Sequence, residues 1–117
     1  MKIDVLFASM PVTDLDVSQP WYQSLFGRPA DIVPNADEVM WNVASAGWVY
    51  VVHDPEHAGN TLITVSVADL DGALAELAGR GLESGPIEIV GEAGRKSVLT
   101  DPDGNSVAII EVTAEGG

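Results

Sequence analysis

The chain has 117 residues, the length of one domain with a substantial core. Its 46% hydrophobic and 20% charged residues are typical of a globular protein and exclude a disordered one. Five Lys and Arg stand against eighteen Asp and Glu, a formal charge of −13 that argues against nucleic-acid binding, because phosphate contacts need a basic surface.

The same composition bounds the chemistry and the location. The chain has no cysteine, which excludes disulfides and thiolate metal sites. No apolar run approaches the ~20 residues of a membrane span, and the N-terminus lacks the basic and apolar segments of a signal peptide. We therefore expect a cytoplasmic protein. The acidic excess indicates either solubility or long-range attraction of a cationic ligand, and composition does not choose between them.

The first predicted strand runs from Ile3 to Met10. Its alternation places Phe7 and Ser9 on one face and Leu6 and Ala8 on the other.

A helix is predicted after this strand, ending at about Phe26. Asp14, Asp16 and Ser18 are all candidate N-caps, and acidic groups there suit the helix dipole. Pro20 is expected within the first turn, where its missing amide has no helical partner in any case.

A hairpin and a loop complete the first half. Two strands are predicted at Glu38–Val43 and Trp48–His53, joined by a turn of small residues. The polar loop 54–60 then separates two predicted modules of one domain, residues 1–57 and 58–117.

The second half repeats this order. Thr61–Val67 is predicted as a strand with Leu62 and Thr64 on one face, and Asp69 caps a helix that runs through Ala78. The remaining strands are predicted at Ile87–Val90, Lys96–Thr100 and Ser106–Val112.

A short acidic turn occurs twice, as Val12-Thr13-Asp14-Leu15-Asp16 and as Val67-Ala68-Asp69-Leu70-Asp71. Each copy lies between a predicted strand and a predicted helix. The sequence thus predicts an α+β fold of two tandem βαβββ modules, forming a curved eight-stranded mixed sheet with helices outside. A ligand would bind on the concave inner face.

The ordered set of motifs resembles the vicinal oxygen chelate superfamily, which includes glyoxalase I, extradiol dioxygenases and bleomycin resistance proteins. The matching segments are 10–16, 18–27, 67–71, 80–81 and 101–105. The resemblance implies paired βαβββ modules and a homodimer, with ligand sites shared between subunits in several members.

The family's enzymes hold a divalent metal with His, Gln or Glu on the first and last strand of each module. By resemblance, these positions fall on Phe7, Leu62, Ala108 and Val51, or on Tyr50 if the register slips by one residue. None of these side chains is a competent ligand for such a metal. We therefore expect no metal cofactor, and binding rather than catalysis.

Other groups are weaker candidates for chemistry. His53 and His57 are the only histidines, and Pro55 between them disfavours a helix that would place both on one face. They are interpreted as solvated loop residues in preference to a metal site. Glu38 is a weak candidate acid or base.

The leading hypothesis is a metal-free protein of the drug-sequestration type, which binds a cationic or planar aromatic molecule in an apolar pocket. The candidate ligand-binding residues are Phe7, Ser9, Trp41, Trp48, Tyr50, Val51, His53, Leu62, Thr64, Ala108 and Ile110. Core or dimer packing is the alternative role for Trp41 and Trp48. The alternative functions are a glyoxalase-like lyase or isomerase with unconventional or no metal ligands, and a dimeric module that serves a partner protein.

Overall fold

The computed structural model describes residues 1–92 and 94–112. Within them a strand, a helix and three strands occur twice in succession. The helices are α1 (Leu15–Phe26) and α2 (Leu70–Gly79). The strands are β1 (Leu6–Val12), β2 (Ile32–Asn35), β3 (Glu38–Ala44), β4 (Gly47–His53), β5 (Leu62–Ser66), β6 (Glu88–Val90), β7 (Gly94–Thr100) and β8 (Ser106–Val112). The predicted α+β fold with paired βαβββ modules is confirmed.

Each half forms its own four-stranded mixed sheet. Sheet A has the strand order β1-β4-β3-β2, and sheet B has the order β5-β8-β7-β6. In both sheets the first strand lies at an edge and pairs in parallel with the last strand, whereas the other pairs are antiparallel. The described residues form no ladder between β1 and β5, so the predicted eight strands make two sheets in one chain.

Side-chain alternation gives each sheet two different faces. Met10 of β1 pairs with Val51 of β4, and both are fully buried in the core that contains Tyr22 of α1. We call this helix-packed side of each sheet the covered face. Phe7 and Ser9 alternate with the core residues and point the other way. We call that side the open face.

The ends of α1 follow from its capping residues. Asp14 is the N-cap, and its carboxylate accepts a hydrogen bond of 3.0 Å from the amide of Asp16. Because Asp14 begins the helix ahead of Ser18, Pro20 lies in the helix interior and not in the first turn as predicted. Gly27 ends the helix with a left-handed φ of 79°.

The start of α2 is held by two carboxylates. Asp69 is the N-cap, as predicted. Glu111 of β8 accepts a 2.8 Å hydrogen bond from the amide of Leu70 and is also paired with Arg95. The hydrogen bond from Leu70, and then the guanidinium of Arg95, lower the pKa of Glu111. These contacts fix α2 against sheet B.

One apolar core connects the two modules. It joins Trp41 of sheet A to Val107 and Ile109 of sheet B, together with Leu25 of α1 and Leu77 of α2. Neither helix in the described part of the chain is long and apolar enough to cross a membrane.

Buried polar contacts also join the modules. The side-chain amide of Asn105, the residue before β8 of sheet B, donates a 2.7 Å hydrogen bond to the carbonyl of Pro11 in sheet A. Nearby, the hydroxyl of Thr13 donates to the carboxylate of Asp103 at 2.6 Å. The relative position of the halves is therefore fixed by specific hydrogen bonds as well as by apolar packing.

Candidate ligand-binding faces

Four predicted site residues lie together on the open face of sheet A. The β1–β4 register places Phe7 beside Trp48 and Ser9 beside Tyr50. The rings of Phe7 and Trp48 stack with centroids 6.3 Å apart and 28° between their planes. Met40 of β3, which sequence reasoning missed, lies beside Tyr50 on the same face. This face presents an aromatic, apolar surface with two hydroxyl groups.

The open face of sheet B carries the predicted residues of the second module. Thr64 of β5 pairs with Ala108 of β8, and Ile110 lies opposite Ser66 further along the same strands. Leu62 completes this face at the start of β5 and is 64% exposed. On β5 and β8 this face carries apolar side chains, together with the hydroxyl groups of Thr64 and Ser66 on the edge strand β5.

The open faces of both sheets are exposed to solvent along their edge strands β1 and β5. Phe7 on the edge strand β1 is 51% exposed. A crevice of about 370 Å³ between β1, β4 and β5 brings Trp48 close to Thr64 and Ser66. Exposed apolar side chains on a sheet edge are typical of surfaces that meet a ligand or another chain.

Two predicted site residues lie on the covered face instead. Val51 is fully buried beside Met10, so the predicted open-face position belongs to Tyr50. Trp41 pairs with Val49 of the core, is fully buried, and donates its indole N–H to the carbonyl of Arg28 at 2.9 Å. Because these side chains pack beneath α1, the prediction that they line the ligand face is wrong.

His53, a predicted ligand-binding residue, also lies off the open face. His53 pairs with Val12 and has the covered-face alternation, although it is exposed at the end of β4. His57 is exposed in the following loop, where its Nδ1 lies 2.9 Å from the carboxylate of Asp54. That contact raises the pKa of His57. Neither ring belongs to the open face of sheet A.

The positions assigned to metal ligands by resemblance do not fit a divalent metal. The side chains of Phe7, Leu62 and Ala108 have no donor atom, and Tyr50 offers a single phenol oxygen. Hard divalent cations need several oxygen or imidazole donors converging on one point. In residues 1–92 and 94–112, no three His, Asp or Glu side chains are grouped to hold a metal.

Two charged residues occupy matching positions on the open faces. Glu38 of β3 lies opposite Val52, and Lys96 of β7 lies opposite Ile110. Two residues further along each strand, Met40 pairs with Tyr50 and Val98 pairs with Ala108. Sequence reasoning missed Lys96, although its place in the alternation of the predicted strand 96–100 could have identified it.

A separate crevice of about 340 Å³ lies on the helix side of the sheets. Its apolar walls include Phe26, Val43 and Val65, and Arg28 and Arg80 lie among its lining residues. Arg80 donates to the carbonyls of α1 at its C-terminal end. This crevice contains none of the predicted site residues.

Paired βαβββ modules with open sheet faces define the class of proteins with the vicinal oxygen chelate fold. No family model matched the chain, and no curated protein did so either. Among solved structures, a glyoxalase/bleomycin resistance protein from Catenulispora acidiphila DSM 44928 is 36% identical, with a TM-score of 0.87 over 92% of this chain and 97% of that one. This chain therefore belongs to the glyoxalase/bleomycin resistance family of the vicinal oxygen chelate superfamily.

More distant neighbours share the fold. TnmS3, an antibiotic binding protein from Streptomyces sp. CB03234, is 21% identical, with a TM-score of 0.77 over 97% of this chain and 99% of that one. A lactoylglutathione lyase from Agrobacterium tumefaciens is 15% identical, with a TM-score of 0.74 over 92% of each chain. The fold thus occurs in both a binding protein and an enzyme.

Proposed function

We propose that this protein binds a small planar aromatic molecule on its open sheet faces, without a metal, and sequesters it without chemical change. The observation that carries the proposal is the stacked Phe7–Trp48 pair, which places a ring at a position that the resemblance assigns to a metal ligand. Aromatic pairs contribute about 0.5–1.5 kcal/mol beyond the burial of their area. The hydroxyls of Ser9 and Tyr50 would orient such a ligand.

The proposed site is completed by a second copy of the chain. A ligand on one open face would be covered on one side only, whereas small-molecule sites bury most of their ligand. Phe7 and Leu62, on the two edge strands, are 51% and 64% exposed. We propose a homodimer in which sheet A of one copy faces sheet B of the other, which encloses the ligand and covers these side chains.

Two further observations support sequestration. A neighbour with this fold is an antibiotic binding protein. The formal charge of −13 favours the approach of cationic molecules at low ionic strength, although it carries no information about contacts in the site.

The proposal is tested by fluorescence titration with N-phenyl-1-naphthylamine, a neutral aromatic probe, and with proflavine, a planar cation. Saturable binding of at least one probe is expected, with affinity about tenfold weaker in Trp48→Ala, since one aromatic contact is lost. Ile89→Ala is the control, because Ile89 is 76% exposed but lies off the open face. If neither probe binds saturably to the unaltered protein, the proposal is contradicted.

A glyoxalase-like lyase or isomerase activity is the second candidate. It is favoured by the shared fold of the lactoylglutathione lyase and by Glu38 and Tyr50, two groups on the open face of sheet A able to exchange protons. The purified protein is assayed for lactoylglutathione formation with and without nickel, zinc, manganese or iron. Metal-dependent turnover with stoichiometric metal at the open face would replace sequestration by catalysis.

A further inference from the structure

Lys96 differs from the other cationic side chains of the protein. The sequence has five Lys and Arg residues. Four of them, Lys2, Arg28, Arg80 and Arg95, form ion pairs with carboxylates. Lys96 forms no ion pair with any described residue. Among residues 1–92 and 94–112, a cation without a carboxylate partner is an exception in so acidic a chain.

The position of Lys96 places this charge on the open face of sheet B. It pairs with Ile110 on β8 and lies two residues before Val98, which pairs with Ala108. Its side chain is partly buried, and partial burial strengthens contact electrostatics. Glu88 lies opposite Lys96 on β6, but the two side chains form no ion pair.

The two modules present opposite charges at matching positions. Glu38 corresponds to Lys96 because their partners occupy equivalent positions in the two modules. Val52 pairs with Pro11 and Ile110 pairs with Ser66, and Pro11 and Ser66 each come directly before a copy of the repeated acidic turn. One carboxylate oxygen of Glu38 already accepts a 3.1 Å hydrogen bond from Asn35. A ligand enclosed between sheet A and sheet B would therefore meet a carboxylate on one sheet and an ammonium group on the other.

Building on the proposed function, we propose that Lys96 is its specificity-determining residue and binds an anionic oxygen, such as a phenolate, carboxylate or sulfonate, on the aromatic ligand. The ammonium group donates up to three hydrogen bonds to such an oxygen. Long-range repulsion by the acidic surface acts against an anion, but it is screened beyond about 8 Å at physiological ionic strength. A contact hydrogen bond to a charged group is screened far less, so the local contact decides selectivity.

Two aromatic probes that differ in one sulfonate test this assignment. The anion 1-anilinonaphthalene-8-sulfonate and neutral N-phenyl-1-naphthylamine are titrated into the unaltered protein, Lys96→Met, Lys96→Arg and Lys2→Met in 0.15 M salt. Lys2→Met is the matched control, because it removes the same charge from a side chain that is 90% exposed. Lys96→Met is expected to weaken binding of the sulfonate about tenfold, the size of one hydrogen bond to a charged group.

The other titrations separate the charge effect from packing. Lys96→Arg is expected to retain the sulfonate affinity, and binding of the neutral probe is expected to stay within about twofold in every variant. Equal effects of Lys96→Met and Lys2→Met on the sulfonate would overturn the role of Lys96 and leave the aromatic site standing. If the unaltered protein binds none of the sulfonate, N-phenyl-1-naphthylamine and proflavine, the proposed function fails, and this inference fails with it.

Discussion

The phenol of Tyr22 donates a 2.7 Å hydrogen bond to the carboxylate of Asp101, which joins the helix of the first module to the hairpin of the second. Tyr22 is fully buried and Asp101 is 4% exposed. Burial, and then the neighbouring carboxylate of Asp101, raise the pKa of Tyr22 well above its usual range. The phenol therefore stays neutral in the folded protein and serves as a donor between the modules.

Tyr22→Phe is expected to destabilise the protein by about 1–2 kcal/mol, because a buried carboxylate loses one hydrogen bond. It should also change the alkaline limit of stability. Because the pKa of Tyr22 is raised in the folded protein, its contribution to the free energy of unfolding is complete below the unfolded-state pKa of about 10. Above that pH the contribution is lost by about 1.4 kcal/mol per pH unit. Urea denaturation of both proteins from pH 8 to 11 measures this difference. Parallel pH profiles for the two proteins would contradict it.

Leu62→Glu is expected to convert the proposed dimer to a monomer, because it places a carboxylate on the apolar open face of sheet B. Ile89→Glu is the control with the same change of charge. Ile89 is 76% exposed on an outer strand, away from the proposed contact. Sedimentation equilibrium measures the mass of each variant. A dimer for both variants, or a monomer for the unaltered chain, would contradict the proposed assembly.

Local sequence signals predicted most of the fold. Asp14 and Asp69 mark the starts of both helices, because their side chains accept amides of the first turn. The alternation of β1 predicted that Phe7 and Ser9 share a face, and the register places Phe7 beside Trp48. These features depend on residues that are close in sequence, so the sequence alone predicts them.

The errors arose where one strand's face depends on a distant partner. Trp41 and Trp48 lie on opposite faces because the β3–β4 register pairs Trp41 with Val49 and Asn42 with Trp48. Val51 faces the core because β4 aligns with β1 through the Met10–Val51 pair. The β3–β4 register also shifts between Asn42 and Ala44, an irregularity that strand alternation alone does not predict. The strands themselves were therefore predictable from the sequence, but the faces of Trp41 and Val51 were not.

Addition of nickel, zinc or manganese is expected to leave the melting temperature unchanged. The family positions on the open faces contain Phe7, Tyr50, Leu62 and Ala108, which supply no set of donors. A ligand present at one hundred times its Kd would stabilise the fold by about 2.7 kcal/mol, which a thermal melt detects readily. The double variant Phe7→His, Ala108→Glu is also expected to lack tight metal binding, because two donors are too few. Stoichiometric metal in the purified, unaltered protein would contradict this prediction.

Asn105→Ala is expected to destabilise the protein more than any exposed substitution. The side-chain amide donates to the carbonyl of Pro11 at 2.7 Å and to Asp101 at 2.9 Å, and its oxygen accepts the amides of Gly59 and Thr61, each at 3.0 Å. Asn105 is fully buried, so its removal leaves several polar groups without partners, at a cost of about 3 kcal/mol.

Asn60→Ala provides the matched control for Asn105→Ala in urea denaturation. The exposed Asn60 side chain makes one 3.3 Å hydrogen bond, to the carbonyl of Ala58. Its removal is expected to change the free energy of unfolding by less than about 0.5 kcal/mol. Asn105→Asp should resemble Asn105→Ala, because a carboxylate cannot donate to Pro11 and would lie beside Asp101. Equal stabilities of the Asn105 and Asn60 variants would show that this hydrogen-bond network does not hold the modules together.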